Sequence, residues 1–331
     1  MALLSVQHLS IRLSTRHGDV SVIDDLSFDV QAGEILGVVG ESGAGKSLTG
    51  MAILGLLDPP LAQSGGRIVF DGGRIDTLPP GEFDALRGKA IAAVFQDSMT
   101  SLDPIMTIGR QLTETIIAHH RLGRRKAEDR AAQLLAEVGI PGPRERLSSY
   151  PHQLSGGMRQ RVVLALAFAC EPRLIIADEP TTALDVSLQA QIVALLKRMA
   201  SERGTAVMFV THDMGLIAET ADRIAVLYAG RLAEIGPTSD VLQSPQHPYT
   251  KGLIASIPRV NRPVHRLFQI EGTMPSPAAR PSGCAFHPRC PVAIPRCPHD
   301  QPPLITHKRS RAACWLLDPS AIPMKETLQD A

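Results

Sequence analysis

The stretch Ile35-Leu-Gly-Val-Val39 runs directly into Gly40-Glu41-Ser42-Gly43-Ala44-Gly45-Lys46-Ser47-Leu48, and its reading decides the fold. A short apolar run without alternation describes a strand buried on both faces, as in a parallel sheet. From Ser47 to Leu57 the pattern turns helical and stops at Pro59-Pro60. Strand, glycine-rich loop and helix in that order form the setting in which a phosphate-binding loop works. Glycines at 40, 43 and 45 let consecutive backbone N–H groups turn inward, and the helix start adds unpaired donors and partial positive charge. Lys46 supplies a full charge to β- and γ-phosphates, and the Ser47 hydroxyl can ligate Mg²⁺.

Outward from this loop, Leu3 to Val30 alternates apolar and polar around His17-Gly18-Asp19, which predicts antiparallel strands. Further strands are expected at Arg67–Phe70, Ile91–Phe95, Leu174–Ala177, Ala206–Val210 and Ile224–Leu227. Helices are expected from Gly156 to Ala169 and from Ser187 to Glu202, with a charged helical segment from about Pro104 to Leu154. Within it, the basic run from His119 to Lys126 reads as a solvated helix face. Alternating strands and helices predict an α/β fold whose sheet is mostly parallel, carrying an inserted helical subdomain at about 97–160. The strand Leu174-Ile-Ile-Ala177 ends in Asp178-Glu179. Asp178 is positioned to hold Mg²⁺, and Glu179 to orient or deprotonate an attacking water.

Composition narrows the class. The chain has 331 residues with 34 basic and 33 acidic side chains, and this near balance disfavours a nucleic-acid binder. Aromatics are only 4%, too few for a base-stacking platform. The longest apolar run, Val162 to Cys170, is far short of the roughly 20 residues a spanning helix needs. The N-terminus has neither the charged start nor the apolar stretch of a secretory signal, so a cytoplasmic, thiol-reducing location is expected. Sixteen of 26 prolines and four of five cysteines follow Gly236, which marks the tail as different in kind.

Between the two acidic and phosphate elements lies Leu154-Ser155-Gly156-Gly157-Met158-Arg159-Gln160-Arg161, a second helix start suited to anions. This octet resembles the signature motif of ABC-type ATPases. Gln96 in Val94-Phe95-Gln96-Asp97 resembles their Q-loop, Ala183-Leu184-Asp185 their D-loop, and Thr211-His212-Asp213 their switch histidine. With the phosphate loop, these motifs stand in the family's order.

The resemblance implies a head-to-tail ATPase pair, in which Ser155, Gly156 and Gly157 meet the γ-phosphate held by the partner's loop and Asp185 borders the same interface. It implies ATP as ligand, along Gly40, Glu41, Ser42, Gly43, Ala44, Gly45, Lys46, Ser47 and Leu48. Mg²⁺ would lie at Ser47, Gln96 and Asp178, and catalysis would fall to Glu179, His212, Gln96 and Lys46. Counting back from the loop puts His17 where the family stacks adenine, in place of the commoner Tyr or Trp.

The stretch Pro245-Gln-His247-Pro248-Tyr249-Thr250 to Pro258 resembles the end of the ATPase region in oligopeptide and dipeptide importers. Beyond it, Cys284-Ala-Phe-His287-Pro-Arg289-Cys290, Cys297 and Ala313-Cys314-Trp315 resemble that subfamily's C-terminal extension. The implied division is residues 1–258 for the ATPase and 259–331 for the extension. Five, six and sixteen residues separate the four cysteines, so CxxC zinc pairs are absent. The resemblance suggests a [4Fe–4S] cluster on Cys284, Cys290, Cys297 and Cys314; zinc and reduced structural thiols remain alternatives. Cys170, among apolar residues in a helix, reads as a core thiol.

The implied function is the ATP-hydrolysing subunit of a membrane importer of di- or oligopeptides, peripheral at the cytoplasmic face. Its implied partners are a second ATPase subunit, two permease subunits and an extracytoplasmic substrate-binding protein. Residues Asp97 to Pro104 would help form the groove for a permease helix. Importers of nickel chelates, glutathione or opines are alternatives, and a soluble ABC ATPase acting on nucleic acid or ribosomes is a remoter one.

Overall fold

The computed structural model describes residues 2–96, 101–182, 184–257 and 268–320. The chain opens with an antiparallel ribbon, β1 (Leu4–Thr15) and β2 (Gly18–Val30), followed by β3 (Ile35–Val39), whose residues are all buried. Helix α1 (Lys46–Ile53) leads to β4 (Leu61–Phe70), β5 (Gly73–Arg74), α2 (Pro80–Asp84) and β6 (Ile91–Val94). A helical excursion follows: α3 (Ile108–His119), α4 (Arg124–Glu137) and α5 (Pro143–Arg146). The chain returns through α6 (Gly156–Ala167), β7 (Leu174–Asp178), α7 (Val186–Arg203), β8 (Ala206–Thr211), α8 (Met214–Thr220) and β9 (Arg223–Tyr228). It closes with β10 (Arg231–Pro237), α9 (Thr238–Gln243), α10 (Pro248–Ala255), β11 (Ile305–His307) and β12 (Ser310–Ala312).

Two sheets result. Strands β2-β1-β4-β5 form an antiparallel sheet, and β11-β12-β10-β9-β3-β8-β7-β6 form a mixed one. The five strands from β9 to β6 are parallel, so their carboxyl ends share one edge. Ligands of open α/β sheets settle in the crevice at that edge.

Period-two alternation places the cores. Ile35, Ile175, Ala177, Val207 and Phe209 face α6, α7 and the helical excursion, whereas Leu36, Val38, Ile176, Met208 and Val210 face the antiparallel sheet. Because each side of a strand meets a different layer, both sides must be apolar, which explains the unalternating runs. The excursion buries Ile108, Leu112 and Ile116 of α3 against Ala127, Ala131 and Leu134 of α4, at helical spacing.

Several local expectations shift. The basic run from His119 to Lys126 is not one helix face: α3 ends at His119 and α4 starts at Arg124. Leu122 and Gly123 lie in the break, where glycine disfavours helix continuation. Strand β4 begins at Leu61, six residues before the expected start, because pairing with β1 extends it through a polar stretch. Helix α6 stops at Ala167, so buried Cys170 sits in the following turn, with its Sγ 3.7 Å from the Thr115 carbonyl. The expected division between 258 and 259 falls outside the described residues. Two tail strands nevertheless join the main sheet, with β12 pairing β10 at Glu234 and Ile235.

Candidate nucleotide site

The phosphate loop forms because only glycine suits two of its turns. Gly40 has φ 156°, and a Cβ there would stand 2.3 Å from the Leu227 carbonyl oxygen. Gly45 has φ 99°, and its Cβ would meet Ile23 Cδ1 at 2.3 Å. The first turn of α1 thereby points its unpaired N–H groups along the loop. Lys46, buried, folds its ammonium back to donate to the carbonyls of Gly40 (2.8 Å) and Glu41 (3.1 Å). Burial lowers its pKa, opposed by the negative charges of Glu179, Asp178 and Glu41.

The carboxyl ends of four parallel strands bring the remaining groups together. Ser47 Oγ donates to Asp178 Oδ1 at 3.0 Å, which unites the loop's hydroxyl with the end of β7. Burial raises the Asp178 pKa, with the Ser47 hydrogen bond acting against it. Both are oxygen donors on one wall, a set that fits a hard Mg²⁺ ion.

Glu179 follows in a left-handed conformation, φ 46°, with its N–H donating to the Val210 carbonyl at 2.8 Å. A non-glycine residue there is strained, and such strain gathers at functional sites. Three side chains converge on its carboxylate: Gln96 Nε2 at 3.3 Å and Thr182 Oγ1 at 2.8 Å on Oε2, and His212 Nδ1 at 3.0 Å on Oε1. Burial alone would push the Glu179 carboxyl up, yet the hydrogen bonds from His212 and Thr182 and the charges of His212 and Lys46 hold it below the ordinary range. The carboxylate is therefore held in its charged form and oriented by three side chains.

These side chains line a cavity of about 850 Å³ bounded by Val22, Glu41, Ser42, Gly43, Gly45, Lys46, Ser47, Leu48, Gln96, Glu179, Thr182, His212 and Pro277. Its volume suits a small-molecule site of about 300–1,000 Å³. Ala44 is buried beneath the loop. His17 does not line the cavity; it is exposed at the turn between β1 and β2.

The signature residues stand elsewhere. Ser155 caps α6, accepting from the Met158 N–H at 3.3 Å, and Gly156 and Gly157 open that helix. Asp185 caps α7, accepting from the Leu188 N–H at 2.9 Å, and Gly157 lies where a Cβ would stand 2.7 Å from Leu188 Cδ2. Buried Gln160 of α6 donates to the Pro180 carbonyl at 2.5 Å, which ties the signature helix to the segment after Glu179. Ala183 and residues 97–100 lie outside the described residues, so the expected groove is described only from Ser101 onward.

Sequence reasoning missed Thr182, three residues beyond Glu179, and the brace behind the loop. The Glu41 N–H donates to Tyr249 Oη at 2.8 Å, and Glu41 Oε2 accepts from Arg289 Nη1 at 3.1 Å. Arg289 also donates to Tyr228 Oη at 3.3 Å and to the Glu271 carbonyl at 2.9 Å. Tyr228, Tyr249 and Phe286 pack with ring centroids 4.7 to 5.4 Å apart. Spacing alone carried no signal for these contacts, and the two to Glu41 join residues more than 200 positions apart.

The cysteine expectation gains no support. Cys284, Cys290, Cys297 and Cys314 are free thiols around one small cavity, with His287, Trp315 and Leu316 among its walls. Among the described residues, no group of three or more His, Cys, Asp or Glu side chains is arranged to hold a metal ion. Burial pushes the Cys284 thiol up to about 11 and also raises Cys290 and Cys314. The iron–sulfur assignment is therefore not supported among the described residues.

Residues 23–182 match the family model described as ABC transporter, and residues 233–297 match that described as oligopeptide/dipeptide transporter, C-terminal region. Over 320 residues the chain is 45% identical to the dipeptide transport ATP-binding protein DppD of Bacillus subtilis (strain 168), covering 96% of each chain. It is 45% identical over 314 residues to the oligopeptide transport ATP-binding protein OppD of Salmonella typhimurium, covering 95% of this chain and 93% of that one. Among solved structures, the ATP-binding cassette MJ0796, in a dimeric post-hydrolysis state bound to ADP and Pi, superposes with a TM-score of 0.64 at 26% identity. That match covers 71% of this chain and 98% of the other.

Proposed function

The chain belongs to the ABC transporter family, in its oligopeptide/dipeptide branch, and from that premise we propose how its residues hydrolyse ATP to drive a peptide importer. One observation carries the reading. The Glu179 carboxylate, gripped by Gln96, Thr182 and His212, faces the cavity that Lys46 and Ser47 also line, with Asp178 accepting from the Ser47 hydroxyl.

ATP would place its phosphates on the loop from Gly40 to Leu48, and Lys46 would exchange its two carbonyl partners for phosphate oxygens. Ser47 and Asp178, with Gln96, would hold Mg²⁺, which when bound neutralises charge on the β- and γ-phosphates. A water beside Glu179 attacks the γ-phosphorus while its proton passes to the carboxylate. The new O–P bond forms as the bond to the β,γ-bridging oxygen breaks, and ADP leaves with that electron pair. His212 and Thr182 keep the carboxylate aimed throughout, and Gln96 reports occupancy to the helical excursion.

The signature residues Ser155, Gly156 and Gly157 and the cap Asp185 would face a nucleotide on the phosphate loop of a second ATPase subunit. Among the described residues no helix is long and apolar enough to cross a membrane; the substrate path would lie in permease partners. Exposed Phe95 and Ile105, on either side of residues 97–100, support docking of a permease helix there. Two permeases and an extracytoplasmic binding protein complete the proposed importer, with this chain peripheral at the cytoplasmic face.

Glu179→Gln keeps the shape and removes the proton acceptor. In the assembled complex, ATP binding should persist while turnover falls by about 10²- to 10⁴-fold. Turnover at the wild-type rate would remove Glu179 from this role.

A further inference from the structure

The cavity's lining is chemically divided. Lys46, Ser47, Gln96 and His212 offer donors to a triphosphate, whereas Val22, Leu48 and Pro277 are apolar. A nucleobase needs apolar or stacking surface, yet among the described residues no Phe, Tyr or Trp lines this cavity and His17 stands outside it. Pro277 comes from the far end of the chain, in a short 3₁₀ turn, Pro277–Ala279, that packs on β2. Its placement is not incidental. Arg280, three residues on, has a side chain only 10% exposed and donates to the carbonyls of Ser21 (2.9 Å) and Val22 (3.1 Å). The same guanidinium lies 3.3 Å from Asp24, whose carboxylate is also held by Arg231 at 2.6 Å. At Gly230 a Cβ would stand 1.9 Å from the Val22 carbonyl and 2.9 Å from Arg280 Nη2, so the seam has no room for a side chain there.

We propose that the C-terminal extension is part of the nucleotide site: Pro277 and Val22 form the wall against which the adenine ring packs, and Arg280 is the positioning residue that holds them together. The proposal rests on the reading of this cavity as an ATP site and goes beyond it by assigning the base-recognising surface to the extension. A second contact acts in the same direction. Arg289 of the extension grips Glu41 of the phosphate loop, so the extension touches both ends of the bound nucleotide. By linkage, whatever seats the extension tightens ATP, and ATP in turn seats the extension.

The test measures binding of ATP and of inorganic tripolyphosphate to the full chain by titration calorimetry. It compares wild type with Pro277→Asp, Pro277→Ser, Arg280→Gln and His17→Ala. Pro277 is exposed, so its variants should retain the wild-type melting temperature. Loss of one face of apolar contact should weaken ATP by about tenfold in Pro277→Asp and less in Pro277→Ser and Arg280→Gln. Tripolyphosphate, which has no base, should bind all of them as it binds wild type. ATP affinity that ignores the Pro277 variants and instead follows His17→Ala would overturn the proposal. Equal weakening of both ligands would overturn it too, because the damage would then lie in the phosphate loop. Wild-type protein that binds neither ligand would overturn the ATP-site reading itself.

Discussion

Replacing Arg289 by methionine should unfasten the extension from the phosphate loop. The Arg289 side chain is 7% exposed, and methionine retains much of its packed stem while deleting its hydrogen bonds. Those bonds run to Glu41 Oε2 (3.1 Å), Tyr228 Oη (3.3 Å) and the Glu271 carbonyl (2.9 Å). Glu41 Oε1 is already buried without a partner, so the deletion leaves the whole carboxylate unanswered. Breaking a fully buried ion pair costs about 3–5 kcal/mol. Glu41 keeps 29% of its side chain in water, which reduces the expected loss to about 3 kcal/mol. Trp315 is the chain's single tryptophan and lies buried in the extension, with Nε1 donating to the Asp300 carbonyl at 2.9 Å. Urea unfolding followed by its fluorescence therefore reads the extension directly, and far-UV circular dichroism reads the ATPase helices. The Trp315 transition of Arg289→Met should move to lower urea, by more than the helical transition does. A double-mutant cycle with Glu41→Gln isolates the pair, with an expected coupling of about 1–3 kcal/mol. An unshifted Trp315 transition, or a coupling under about 0.5 kcal/mol, would refute the reasoning.

Three other outcomes are expected. Acid should loosen the seam at His247, whose ring is buried, accepts from the Tyr249 N–H at 3.1 Å, and has its pKa lowered by burial to about 4. The unfolded state protonates near pH 6.5 and the folded state does not, so stability is unaffected above that pH and falls below it. By pH 5 the loss is about 2 kcal/mol, measured as urea-derived stability at pH 7 and pH 5. His247→Gln should lack that increment; an equal acid loss in the variant would contradict the assignment. The Cys284 thiol should react slowly: pushed up to about 11 by burial, its thiolate fraction at pH 8 is about 10²-fold below that of an ordinary cysteine. Thiol titration with and without urea checks this, and fast labelling of the native protein would count against buried neutral thiols. Gly40→Ala should abolish ATP binding in calorimetry, since its Cβ would meet the Leu227 carbonyl oxygen at 2.3 Å and backbone cannot yield as a side chain can. Wild-type affinity in that variant would show that the loop tolerates what its geometry forbids.

The machinery whose chemistry is local was legible in the residues alone. Glycine spacing, Lys46-Ser47, the Asp178-Glu179 strand end, Gln96 and His212 all meet at one cavity, because parallel strands deliver their carboxyl ends to one edge. Element limits were less legible. Strand β4 starts early through pairing with β1, and the basic run breaks at Leu122-Gly123. The family resemblance suggested a ligand set, whereas the fold gathers the thiols around an apolar pocket, and no metal-binding group is assembled among the described residues. Thr182 was overlooked because a threonine after Glu-Pro-Thr has no distinguishing pattern until the turn brings its hydroxyl 2.8 Å from Glu179.

By itself the sequence determined the glycine-rich loop before α1, the order of the proposed catalytic groups and the branch to which the tail belongs. Each of those rests on residues close together in the chain, where backbone geometry dictates the chemistry. Only the tertiary structure decided that Glu41 is held by Arg289, that Tyr249 backs the loop, and that Pro277 rather than His17 borders the cavity. Those contacts join the first fifty residues to the last hundred, and no local preference encodes them. They exist because β12 adds to the sheet at β10 and Arg280 pins the extension to β2, laying Pro277 at the edge of the cavity.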